Sequence, residues 1–403
     1  MKIFMVCEFF DDALDYQENM LARSYHEAGH DVTVVASTIR HLGDYVSDGD
    51  LGKGAQSEEI FGWGKLIRVP FRFNILHRVK RFEPILELIK EAKPDLLFFH
   101  DIIPNLSEGI RYVRTNPECA MIMDYHGDAS NSGANWLSRQ ILHGIVRKWM
   151  LDRARPHLKK ILPVTPGSAD FLHKLYKISD EEMELLPLGA DQQYAAEVLA
   201  SDARQRIRKD LGIAEDAFVI FTGGKLHPLK QTEDVLAAAS RLHDIPLHVI
   251  LVGKADPAHA EYARSVIDLG TANPRVHMVG WQDRAGVYAH MAAANVAVFP
   301  ASQSVLWQQS LGMGLPLILS ERSEALRGIQ DVGYLNRHNN LIILDHQLPL
   351  PDQIAAHVRR LAGDREALAA MSRGAEKTAE EILDYAAIAR RTLAFVDKEH
   401  TRG

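Results

Sequence analysis

Short apolar strand segments alternate with amphipathic helical segments along this chain, and the alternation runs through twice. That rhythm excludes most architectures, because strand, covering helix and next strand together build a parallel sheet with helices on both faces. In the first half the pattern predicts strands at Lys2–Val6, Val32–Ala36, Leu96–His100, Met121–Tyr125 and Ile161–Val164. Helices are predicted over Gln17–Ala28, Val79–Ala92, Trp136–His157 and Ser168–Tyr176. The rhythm restarts after about residue 215, with strands at Phe218–Thr222, Leu247–Val252, Val276–Val279, Val296–Phe299, Leu315–Leu319 and Leu341–Leu344. Helices fall between these, and two more follow near Asp352–Leu361 and Arg365–Ile382. The expected fold class is therefore α/β, as two doubly wound, Rossmann-like domains. They are placed at 1–192 and 193–384, with the polar stretch Gln192–Ile213 as the join.

The 403 residues suit two domains, each within the ordinary size range. A net charge of −7 argues against a general nucleic-acid binder. The two cysteines, Cys7 and Cys119, offer neither metal-ligand spacing nor a disulfide framework, which favours a reducing, cytoplasmic setting. The opening MKIFMVCEFFDDALD is broken by Glu8, Asp11 and Asp12, so it reads as a first strand and not as a signal peptide. No apolar run approaches the ~18 residues of a membrane span.

Two metal-like motifs need weighing. Within YHEAGHD, residues 26–30 read HEAGH and fit the H-E-x-x-H pattern of zinc peptidases. That chemistry needs both histidines on one helical face. Gly29 stands between them just before the apolar HDVTVV, so the expectation is a helix that ends at glycine and a strand that starts at His30. The loop Thr38–Lys65 carries Asp48, Gly49 and Asp50, read as solvated carboxylates more than as a metal site.

Phosphate chemistry has a better address. In FTGGKLHPLKQTEDVL a strand runs into Gly223 and Gly224, followed by Lys225 and Lys230. Glycines at the carboxyl end of a strand let a ligand approach the backbone, and paired lysines neutralise a diphosphate. The plainer reading is two solvated lysines beside a turn. Further on, FPASQSVLWQQSLGMGLPLILS ends a strand at Phe299-Pro300, and Ser304 is the predicted cap of a helix through Val305, Leu306 and Gln309. That helix would present free N–H groups to a phosphate or simply pack on the sheet.

Taken together, MKIFMVCEFF, LARSYHEAGHDVTVVAS, PDLLFFHDI, LLPLGAD, GGKLHPLKQ, RVHMVGW, ANVAVFP and LGMGLPLILS resemble, in order and spacing, glycosyltransferase family 4. These are retaining nucleotide-sugar transferases of the GT-B fold, two Rossmann-like domains facing a cleft. The resemblance covers nearly the whole chain. It implies an acceptor-binding first domain, a donor-binding second domain, and a C-terminal helix at 385–403 that crosses back onto the first. It implies that Lys225, in place of the family's usual arginine, and Lys230 grip the donor diphosphate. Gly253, Gly280 and Trp281 would line the nucleobase edge, and Ser304, Val305, Leu306 and Gln309 the donor. His126, in DYHGD, matches the histidine that reaches the donor sugar, and Tyr16, Gln17 and Asp128 fall on the acceptor side.

Two departures stand out. The family's E-x7-E motif has Gln309 at its second position and no acid at its first, where Ser302, Gln303 or Ser304 stands. The first-strand loop, FFDDALDYQEN, lacks the glycine pair common in relatives. The implied reaction takes a UDP- or GDP-sugar, transfers the sugar to an acceptor hydroxyl by front-side attack, and uses no metal or other cofactor. The rivals are a non-catalytic relative that binds nucleotide or a partner, and a GT-B nucleotide-sugar epimerase. Residues 136–160, WLSRQILHGIVRKWMLDRARPHLKK, are basic with the single acid Asp152. They suit either a domain helix with a solvated face or a peripheral contact with anionic lipid.

Overall fold

The computed structural model describes residues 1–12, 14–41, 45, 52–75, 78–127, 138–301, 303–323, 328, 329 and 331–396. Asp48, Gly49, Asp50, Asp128, Trp136 and Ser302 lie outside the described residues. The chain divides into two compact units. One is Met1–Leu188 together with the chain from Tyr385 on, and the other is Gly189–Asp384.

The first unit is built on a seven-stranded sheet of β1 (Lys2–Val6), β2 (Asp31–Ser37), β3 (Ser57–Phe61), β4 (Gly64–Val69), β7 (Leu96–His100), β8 (Ala120–Tyr125) and β9 (Lys160–Pro163). Its order is β3-β4-β2-β1-β7-β8-β9. Every pairing is parallel except β3 with β4. A hairpin of β5 (Phe71–Ile75) and β6 (Val79–Phe82) stands apart from it. Apolar clusters cover both faces of the sheet, which is why its central strands read as continuous apolar runs. Helix Tyr385–Leu393 belongs to this unit, packed on helix Gln17–Glu27, where the Tyr25 hydroxyl hydrogen-bonds Thr392 in the core.

The second unit has six parallel strands. These are β10 (Phe218–Leu226), β11 (Leu247–Ala255), β12 (Val276–Gly280), β13 (Val296–Phe299), β14 (Leu317–Ser320) and β17 (Leu341–Leu344), in the order β12-β11-β10-β13-β14-β17. The two-residue strands β15 (Arg322–Ser323) and β16 (Gly328–Ile329) pair with each other. In each sheet the chain winds outward one way and then the other. The order therefore reverses between β1 and β7 in the first unit and between β10 and β13 in the second. In such sheets ligands bind outside the carboxyl ends of the strands at the reversal.

Three sequence expectations are corrected. The predicted helix Val79–Ala92 is the strand β6 followed by helix Leu86–Ala92. Pro84 disfavours helical geometry at Glu83, so the helix can form only beyond it. The stretch read as loop to Lys65 contains the antiparallel pair β3–β4, closed through Gly62 and Trp63. At Gly64 a Cβ would lie 2.4 Å from the Val32 carbonyl oxygen, so glycine is what lets β4 lie against β2. The expected join Gln192–Ile213 is two helices of the second unit, Gln192–Ala200 and Ala203–Asp210. Asp191 caps the first through the Tyr194 N–H, and Arg208 is fully buried in the second.

The HEAGH segment is a turn, as its glycine implies. Helix Gln17–Glu27 ends there, Gly29 takes φ +82°, and the His30 N–H donates to the Tyr25 carbonyl at 3.0 Å before β2 begins. This is the hydrogen bond of a left-handed helix cap.

Candidate functional site

The glycine pair in the second unit does not end its strand. β10 continues through Gly223, Gly224 and Lys225 to Leu226, with Gly224 opposite Gly253 and Lys225 opposite Lys254 in β11. A Cβ at Gly223 would lie 2.4 Å from the Val252 carbonyl oxygen, and one at Gly253 would lie 1.9 Å from that of Gly224. The glycines therefore permit an approach of the two strands that no side chain would allow. Gly224 itself opens the other way, where the nearest atom to a Cβ would be Cε of Lys230, at 3.8 Å.

Lys230 is positioned by a turn. The His227 Nδ1 accepts the Leu229 N–H at 3.0 Å and caps the single helical turn Pro228–Lys230. Gln231 then takes φ +49°, and helix Thr232–Ser240 follows. The Lys230 Nζ donates to the Gln303 carbonyl at 2.6 Å, and burial pushes its pKa down to about 8. Gln303 follows β13, so this contact spans the point where the strand order reverses. Leu306 is buried beside the same place, with Cδ1 3.3 Å from where a Gly223 Cβ would sit. Gly223, Gly224, Lys230, Gly253 and Leu306 are thus brought together.

The other residues that the resemblance assigns to the donor lie on β10, just beyond β12, and on the segment after β13. Lys225 is exposed. Gly280, at φ +71°, ends β12, and Trp281 beyond it is 63% exposed, with the Lys254 ammonium 4.9 Å from its ring centroid. Ser304 is only a weak cap. Its hydroxyl accepts the Leu306 N–H at 3.4 Å, the cap position falls to the exposed Val305, and the helix is the short Leu306–Gly312. Gln309 is half-buried on this helix, while its neighbour Gln308 is fully buried and donates to the Tyr334 hydroxyl at 3.3 Å. At the ends of β10 and β11, His227, Asp256 and His259 form a set of metal-ligand type, with the two rings 3.9 Å apart. The His227 Nδ1 is already engaged in capping the turn.

In the first unit, His126 follows β8 and its Nε2 lies 3.1 Å from Asp124, which is 1% exposed. The same carboxylate oxygen lies 3.0 Å from Nδ1 of His100, at the end of β7. The Nε2 of His100 lies 4.0 Å from Glu18 on helix Gln17–Glu27, next to the reversal between β1 and β7. Gln17 is 4% exposed, and both its amide atoms lack a hydrogen-bond partner, while Tyr16 is 42% exposed. A buried carboxamide without partners is costly in a closed core and suits a polar ligand.

The sequence reading missed Asp124, His100, Glu18 and Lys254. Asp124 carried the one available signal, an acid inside an otherwise apolar strand, MIMDY. The others are set by pairings between distant segments.

Comparison with known proteins agrees with this architecture. The glycosyltransferase family 4 model matches residues 19–194, and the glycosyl transferases group 1 model matches residues 217–364. Among solved structures the chain is similar to sucrose-phosphate synthase from Thermosynechococcus elongatus, at 16% identity and a TM-score of 0.64 over 97% of both chains. It is similar to HepE from Anabaena, solved with UDP and glucose, at 14% identity and a TM-score of 0.65 over 99% of this chain and 100% of that one. It is also similar to WaaG, a glycosyltransferase involved in lipopolysaccharide biosynthesis, at 16% identity and a TM-score of 0.62 over all of both chains. At these identities the likeness is one of fold. No curated protein matches the chain in sequence.

Proposed function

Because the chain belongs to the GT-B glycosyltransferases, with a family 4 first domain and a group 1 second domain, we propose that it moves a sugar from a nucleoside diphosphate to an acceptor hydroxyl with retention. The observation that carries this is Lys230, a lysine half-withdrawn from water at the reversal of a nucleotide-type sheet, beside the open backbone of Gly224. A half-buried ammonium beside open backbone is placed to hold an anion, and a diphosphate fits that chemistry. Lys225, and Lys254 opposite it, add positive charge at the same strand ends.

In this reading the C1–O bond to the β-phosphate breaks as the acceptor oxygen bonds C1 on the same face. The acceptor proton passes to the departing phosphate. Lysine charge stabilises the leaving diphosphate, so no metal is required. His126 acts on the donor sugar, and Gln17 with Tyr16 on the acceptor side. Gly253, Gly280 and Trp281 hold the base, and Gln309 a ribose hydroxyl. UDP is the first donor base to try, since the similar HepE is solved with UDP.

Thermal shift with UDP-, GDP- and ADP-sugars, followed by nucleotide release with and without acceptors, tests the proposal. A donor-specific shift with acceptor-dependent release is expected. A shift without turnover would favour a non-catalytic binder, and donor conversion without acceptor an epimerase. The Lys230→Ala variant should lose the shift, and a shift that survives would refute this placement of the diphosphate.

A lipid-linked acceptor is favoured by one feature. No helix among the described residues is long and apolar enough to cross a membrane. Yet Ile141, Ile145 and Trp149 are 49%, 63% and 60% exposed at four-residue spacing, with Arg153 stacked over Trp149. Co-sedimentation with anionic vesicles, lost in Trp149→Ser with Ile145→Ser, is the expected result. Equal sedimentation of both proteins would remove the lipid from the proposal.

A further inference from the structure

The parallel register of β7 and β8 sets His100 directly opposite Asp124. The two-residue period of an extended chain carries His126, just past β8, back toward the side that Asp124 faces. One buried carboxylate therefore meets two imidazoles. Burial raises the Asp124 pKa, but the two histidines outweigh burial and hold it below the usual carboxylate range. As an anion it can only accept, so each ring must offer it an N–H. His100 does so through Nδ1 at 3.0 Å and His126 through Nε2 at 3.1 Å, both to Oδ2. The other oxygen, Oδ1, accepts the Asp101 backbone N–H at 3.3 Å.

His100 is itself enclosed by acids. Asp124 lies on one side, Glu18 is 4.0 Å from its Nε2, and Asp101 is next in sequence. Burial would lower its pKa, and these acids raise it instead to about 10. Glu18, His100, Asp124 and His126 thus form a row in which acid and imidazole alternate.

We infer that Asp124, backed by His100, is a positioning residue that holds the His126 ring with its Nε2–H turned inward and its Nδ1 on the side away from Asp124. The role in turnover rests on the reading of His126 given above, whereas the hold on the ring does not. Asp124 touches neither donor nor acceptor in this account. It acts by fixing which nitrogen of His126 carries the proton and where the ring points.

The test compares Asp124→Asn, His126→Ala and the double variant with the unaltered protein, using the donor identified by the nucleotide-sugar screen. Asp124→Asn is expected to lower kcat on the order of 100-fold while donor KM changes by less than about threefold. Added to His126→Ala, it should lower kcat no further, because its effect passes through that ring. Ring nitrogen-15 spectra supply a readout independent of turnover. The His126 Nε2 should carry a proton in the unaltered protein, and the preference for that nitrogen should be lost in Asp124→Asn. Should Asp124→Asn not fold, His100→Gln is the second variant, expected to lose about tenfold in kcat. A folded Asp124→Asn protein with full kcat, or multiplying losses in the double variant, would overturn the positioning role. A His126 ring whose Nε2 carries no proton in the unaltered protein would overturn the clamp itself. Undiminished turnover in His126→Ala would instead strike the functional reading, leaving the spectra to decide the clamp.

Discussion

The carbonyl oxygen of Gly224 occupies the space that a side chain on Gly253 would need, 1.9 Å from the position of its Cβ. Both residues lie at the carboxyl ends of adjacent strands, so the contact sets how closely β10 and β11 run where the candidate diphosphate site begins. Gly253→Ala should force the strands apart, destabilise the second unit by about 1–3 kcal/mol, and weaken nucleotide binding. Chemical denaturation and a nucleotide titration of the variant check both effects. At Gly224 a Cβ would meet only the flexible Lys230 side chain, but φ of +126° still disfavours a substitution there.

Nucleotide binding should depend on pH through Lys230. Its pKa is pushed down to about 8 from 10.5, so between these values the unfolded chain holds more protons than the folded one. Without ligand, stability from this group rises with pH across that window. A bound diphosphate favours the charged amine and reverses the preference, so binding should take up protons near pH 8 and weaken as pH rises further. Calorimetry in buffers of different ionisation enthalpy measures this uptake. An uptake that persists unchanged in Lys230→Met would assign it elsewhere.

Arg208 ties the start of the second unit together. Fully buried, it donates to the carbonyls of Ala293, Ala214, Glu215 and Ala217 and to the Asn295 side chain, all at 2.9–3.1 Å. Arg208→Met keeps the length and orphans those acceptors, for an expected loss of about 3 kcal/mol. Hydrogen exchange along Phe218–Leu226 should accelerate in the variant, and unchanged protection would show that the carbonyls find other partners.

Thr392 tests the C-terminal helix. Thr392→Val keeps the shape and removes the buried partner of the Tyr25 hydroxyl. A loss of about 1–2 kcal/mol is expected, and exchange should rise in helices Gln17–Glu27 and Tyr385–Leu393 while the second unit stays unaffected. A uniform change across the whole chain would speak against this assignment.

Much of the fold was legible in short windows. The apolar runs of β1, β7, β8, β10, β11 and β13 were found within a few residues of their ends, since burial on both faces leaves a local imprint. The turn at Gly29 was equally legible, because left-handed backbone favours glycine. Misreadings arose where local and distant influences compete. VKRF ahead of Pro84 resembles the start of a helix until it pairs with Phe71–Ile75. Residues 192–213 read as a polar join because a buried arginine looks like a surface one in sequence.

The amino-acid sequence by itself determined the two α/β units, the glycines that open β10, and the lysines placed just beyond them. Periodicity and backbone freedom are properties of a few neighbouring residues, so they need no tertiary context. Only the tertiary structure decided that Lys230 meets Gln303 across 73 residues, that Asp124 joins His100 to His126, and that Tyr25 meets Thr392 across 367 residues. These contacts depend on which strands become neighbours and on which charged groups lose their water. The energies of such pairings are settled only when distant segments close on one another.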